Sequence, residues 1–203
     1  MKKVLFSLGA LAAVAAGCAT MVADRERSAR ALDVMKASFK EQGQAKLDRL
    51  VQDDMQRLCS AEKVPPKDVT DKLEKEQQAL IKYPADGKFI GDWKEGEKIA
   101  QSGIGKQFTD DPTKPSGANC YACHQLMKAE LSFGTIGPSL YNFGKIRGYG
   151  PEIQKYAYAK VYNSQAFAAC SNMPRFGHHA ILTQAQILDV VALLMDPNSP
   201  VNK

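Results

Sequence analysis

The stretch "NCYACHQ", residues 119–125, decides how this chain is read. Cys120, Cys123 and His124 spell C-x-x-C-H, the spacing at which c-type haem is attached. Two thiols separated by two residues at a helix start reach the two vinyl groups of one haem and form thioethers with them. The adjacent imidazole then points at the iron. A thioredoxin-like C-x-x-C would follow a strand, and none is legible before Cys120. A zinc site would want two more ligands at metal spacing, whereas the other cysteines stand singly. The motif therefore predicts one covalently attached haem c on Cys120 and Cys123, with His124 as one axial ligand.

The second axial ligand must come from elsewhere, and "ACSNMPRFGHH", residues 169–179, is the richest place to look. Met127 is three residues from His124 and would lie on the same side of the haem. Met195 belongs to the apolar pattern of the last helix. Met173, 49 residues after His124, sits in a loop braced by Pro174 and Gly177 that can cross the opposite face, and is the leading candidate. His178 and His179 stand behind it, and a Cys170 thiolate behind them. A thioether does not protonate near neutrality and stabilises ferrous iron relative to bis-imidazole ligation. A six-coordinate iron leaves no open position for substrate, so electron transfer is the expected role.

Cysteine arithmetic supplies a crosslink. With Cys18 in the leader and Cys120 and Cys123 on haem, Cys59 and Cys170 remain as one even pair in an oxidising compartment. Their bond would close a loop of 111 residues. In the chain-entropy model such a loop is worth roughly 4–5 kcal/mol.

The leader itself is export-like: Lys2 and Lys3, an apolar run from Val4 to Gly17, then small residues around Cys18. Its 14 residues fall short of the about 20 that span a bilayer. Residues 1–19 are therefore expected to be a signal peptide. "AAGC" ending at Cys18 is also similar to a bacterial lipoprotein signal, with Ala15 in place of the usual leucine, and competes with a cut after Ala19. Without Lys2 and Lys3 the charge falls from +5 to +3, and no basic run carries interleaved aromatics, so no nucleic-acid partner is expected.

Two textures follow. Residues 20–82 are expected to be a charged helical arm: between Asp24 and Lys82 lie 13 basic and 12 acidic residues. Apolar positions recur at helical spacing over Leu32, Met35 and Phe39, over Leu47, Leu50, Val51, Met55 and Leu58, and over Val69, Leu73, Leu80 and Ile81. Such narrow stripes need another surface, either the chain's own second region or a partner. Residues 83–203 hold all three histidines, Trp93 and most of the aromatics. Helices are expected from Asp92, over "PEIQKYAYAKVYN" and over "TQAQILDVVALLM", the last opened by a Thr183–Gln186 capping box. The expected fold class is all-α, a class I-type cytochrome c domain with a helical N-terminal extension.

Together "NCYACHQ", "GTIGPSLYNFGKIRGYG" and "SNMPRFG" resemble the X subunit of the SoxAX cytochromes of thiosulfate-oxidising bacteria, over about Asp92 to Asp196. The arm and its Cys59 are additional to the shortest members. The resemblance implies a periplasmic heterodimer with SoxA, an L-cysteine S-thiosulfotransferase that joins thiosulfate to a cysteine of the SoxYZ carrier and releases two electrons. The catalytic haem would belong to SoxA. This chain would take the electrons and pass them to a small soluble cytochrome c. Resemblance to c-type cytochromes also implies that Pro138 offers its carbonyl to the second nitrogen of His124. The rival function is a free-standing periplasmic electron carrier.

Overall fold

The computed structural model describes residues 26–61 and 63–203. Cys18 and the rest of the expected signal peptide lie outside them. Among the described residues the fold is all-α; the only β pairing is an isolated bridge between Gln42 and Ala45. No helix among these residues is long and apolar enough to cross a membrane.

The chain divides into two compact units at Val51/Gln52, well before the boundary expected at residue 82. In the first, residues 26–38 form α1. Its narrow stripe leaves Val34, Met35 and the following Phe39 exposed. A turn through Gly43, at φ 51°, and a 3-10 turn Leu47–Leu50 end the unit.

The second unit opens with α2, Asp54–Cys59, where the expected continuous helix over Leu47–Leu58 is interrupted. Asp53 is the reason: its carboxylate accepts from Gln56 N while the Gln56 side chain accepts from Asp53 N, a capping box that starts a new helix. Pro65 and Pro66 then separate α2 from α3, Lys67–Ala79, which carries i,i+4 pairs Lys67–Asp71 and Lys72–Glu76 on its outer face.

Four further helices follow: α4 (Trp93–Gln101), α5 (Phe143–Arg147), α6 (Pro151–Tyr162) and α7 (Gln184–Met195). Thr183 and Gln186 form the expected capping box on α7. Ile187, Val191 and Leu193 of α7 are fully buried. Helices α4 and α7 make the closest crossing in the unit, at Gly96, where a Cβ would stand 2.1 Å from the Asp189 carbonyl oxygen. Tyr158 and Tyr162 of α6 stack at 6.0 Å and extend the core toward Phe89 and Tyr83. Met195 is core, as its place in the apolar pattern implied.

Candidate functional site

The C-x-x-C-H residues sit on a 3-10 turn, Cys120–Ala122, instead of the start of an α-helix. Asn119 enters it in the left-handed region, and Cys123 N and His124 N both donate to the Cys120 carbonyl. Cys120 and Cys123 are half-buried free thiols. Burial pushes the Cys120 thiol up to about 12, so it is a neutral S–H at physiological pH. Tyr121 between them points inward, its hydroxyl donating to Glu97 of α4 at 3.0 Å. Burial first, and then the Glu97 carboxylate, raise its pKa well above the ordinary phenol.

His124 is held by the segment that follows. Its Nδ1 lies 2.7 Å from the Pro138 carbonyl oxygen. A carbonyl only accepts, so Nδ1 carries a proton and donates here, and in the tautomer this bond selects Nε2 is the nitrogen with a lone pair to offer a metal. The neighbouring Gly137 is there for space: a Cβ would come within 2.1 Å of His124 Cε1 and 2.4 Å of Nδ1. Backbone bonds from Gly137 N to Cys123 O and from Gly134 N to Tyr121 O wrap the loop around the turn.

Met173 lies on the second loop, between α6 and α7, partly buried against the core cluster that Cys120 and Met127 also touch. Ser164 Oγ donates to its carbonyl at 2.5 Å, and Ser171 Oγ accepts from its N–H. Gly177 lets the chain pass against the Tyr162 ring, where a Cβ would meet Cδ2 at 2.3 Å. Cys170 is disulfide-bonded to Cys59, with Cα atoms 5.4 Å apart, which takes it out of the pool of iron ligands.

His178 and His179 stand edge to face at 4.9 Å beside Asp53, the three offering ligand atoms within 4.8 Å of one another. Arg175 explains that grouping. It is 3% exposed and its guanidinium bonds Asp53 Oδ2 at 2.5 Å, while Asp53 Oδ1 accepts from Gln56 N. The carboxylate is already neutralised. Burial, then the Arg175 charge, lower both imidazole pKa values, with the Asp53 carboxylate acting in the opposite sense.

Sequence reasoning singled out Cys120, Cys123, His124, Pro138 and Met173 as candidates but not the side chains that anchor the Met173 loop. Gln77 Oε1 accepts from Asn163 Nδ2 at 2.9 Å, Glu74 Oε1 from Ala169 N at 2.8 Å, and Gln78 Nε2 donates to the Ala166 carbonyl at 2.8 Å. They read as the polar face of a charged helix. The Asp53-x-x-Gln56 pattern was the one local sign that a helix starts there.

No protein-family model matches the chain. An "Uncharacterized lipoprotein" of Aquifex aeolicus (strain VF5) is 36% identical to it over 209 residues, spanning 99% of this chain and 98% of that protein. The chain therefore belongs to one family with that Aquifex protein, over almost the whole length of both.

Proposed function

We propose that this protein is an exported monohaem c-type cytochrome that transfers electrons. One observation carries the reading: two free thiols with two residues between them stand beside an imidazole whose Nδ1 is committed to Pro138, which leaves Nε2 available. The residues fit the group in kind. Cys120 and Cys123 would hold haem c as thioethers, His124 would be one axial ligand and Met173 the other. Bound haem c supplies a one-electron iron couple. Pro138 fixes the His124 tautomer and ring plane, and Gly137 leaves room for that ring. Ser164 fixes the backbone that carries Met173.

The resemblance to the SoxAX X subunit refines this reading. In that role the carrier thiolate and the sulfane sulfur of thiosulfate form an S–S bond on SoxA, two electrons leave, and this chain relays them one at a time to a small cytochrome c. The class I cytochrome c fold is part of the same proposal, supported by the packing of α4 against both α7 and the C-x-x-C-H turn. The Aquifex relative's name supports export and lipid anchoring through Cys18.

The test is spectroscopic. Protein produced with haem maturation should retain haem through acid–acetone extraction, and its ferric spectrum should show the weak methionine-to-iron band at the red end. That band should vanish in Met173→Ala and persist in His178→Ala and His179→Ala. Haem that extracts freely refutes the cytochrome reading. For the partner, a stable one-to-one complex with SoxA on size exclusion is expected, and its absence favours the free-standing carrier.

A further inference from the structure

We infer that Asp53 and the inner face of α3 form a clamp that holds the Met173 loop closed, with Arg175 as its central positioning residue and Cys59–Cys170 as its covalent latch. The inference rests on the reading of Met173 as an iron ligand.

The loop from Asn163 to Arg175 cannot satisfy its own buried groups. Arg175 is buried and its charge is met by Asp53, 122 residues earlier in the chain. Asn163 is fully buried and its amide Nδ2 donates to both the side chain and the carbonyl of Gln77, while its Oδ1 has no partner. Gln77 Oε1 also takes a longer bond from Arg175 Nη1, at 3.4 Å, so one acceptor ties both ends of the loop. Glu74 and Gln78 serve Ala169 and Ala166 between them. Lone buried polar groups cost more than the bond itself is worth, so removing a donor or acceptor on α3 opens the loop to water.

Met173 falls between two anchors: three residues after the disulfide at Cys170 and two before Arg175. A thioether is an uncharged, weak ligand, and its hold on ferric iron depends on how seldom its loop opens. The elements that limit opening come from residues 53–78, whose outer face bears ordinary surface ion pairs. The part of the chain that looked like a detached arm thus acts on the ligand through the loop, without touching the iron.

The experiment uses the haem-loaded, full-length protein and reads cyanide binding to the ferric form, which requires the methionine to leave, together with the methionine-to-iron band. Gln77→Ala should bind cyanide about tenfold faster than wild type, as expected for losing about one buried hydrogen bond's worth of loop closure. The double variant Cys59→Ser/Cys170→Ser should be faster still, with a weakened band. Lys72→Ala, on the exposed face of α3, should match wild type. Should the disulfide variant fail to fold, Gln77→Ala decides alone. A wild-type band with Gln77→Ala rates within twofold of wild type overturns the clamp and leaves the methionine ligation standing. A wild-type spectrum without the band overturns both.

Discussion

Residues 120–140 bond mostly among themselves: His124 reaches Pro138, Gly137 reaches Cys123, Gly134 reaches Tyr121 and Leu140 reaches Gln125, while the Tyr121 hydroxyl reaches out to Glu97 of α4. Residues 163–175 do the opposite, drawing on Gln77, Glu74, Gln78 and Asp53 at separations of 86 to 122 residues, and on a disulfide spanning 111. The bonds that shape the first loop run mostly between near neighbours in the chain. The second has order only once α2 and α3 have docked. A rigid side and a dependent side of one proposed haem site is a division of labour in which attachment is local and ligand lability is set from a distance.

The largest effect should come from the local side. Replacing Cys120 and Cys123 together by alanine is expected to abolish covalent haem, measured by retention through acid–acetone extraction, while far-UV circular dichroism keeps its helical signal. Loss of all helix in that variant would mean that the turn is not self-contained, and the comparison would break.

Next is Asp53→Asn, which leaves the Arg175 guanidinium buried without its counter-charge. Breaking a fully buried pair costs about 3–5 kcal/mol, and because the Asp53 side chain keeps 38% of its exposure the expected loss is nearer about 2 kcal/mol by denaturant unfolding. This pair also carries a pH signature. Burial alone would raise the Asp53 pKa, but the Gln56 N–H and the Arg175 guanidinium outweigh it and the folded value is lowered. A lowered folded pKa means stability that is fully present above the unfolded value of about 4 and is lost as pH falls through the folded one. The gap in Tm between wild type and Asp53→Asn should therefore close below about pH 4. A gap constant down to pH 2 would deny the pair its role.

Gly137→Ala sharpens the comparison from the other side. The added Cβ collides with the His124 ring, so the ring or the loop must shift. The expected outcome is a change in the iron spectrum with amide exchange at Ala169 unaltered, since Ala169 depends on Glu74 and not on this loop. Exchange that changes at both places would show that the two sides are coupled.

The smallest effect belongs to neither loop. Thr183→Ala removes the N-cap of α7 and should cost about 1 kcal/mol, read from the denaturation midpoint, without moving the iron spectrum.

The same contrast explains what was legible beforehand. The C-x-x-C-H turn and the α7 capping box are short-range patterns, visible because spacing along the chain is also spacing in space, whereas the Pro138 support came from the resemblance to c-type cytochromes. Pairing Cys59 with Cys170 needed only parity and an oxidising compartment, and the structure joins the same two. The boundary expected at residue 82 differs from the compact division at Val51/Gln52 because α2 and α3 look like surface helices by composition. What binds them to the second unit is Gln77, Gln78, Glu74 and Asp53, polar residues that carry no periodic signal.

The sequence by itself determined the helical class and singled out the thiols and imidazole of the candidate site and the Met173 loop, since each rests on local spacing, helix periodicity or residue count. Only the tertiary structure decided that residues 52–82 serve the Met173 loop and that Arg175 lies buried against Asp53. The physical reason is that a buried polar group must find a partner wherever the fold supplies one, and a partner 122 positions away leaves no trace in the order of the chain.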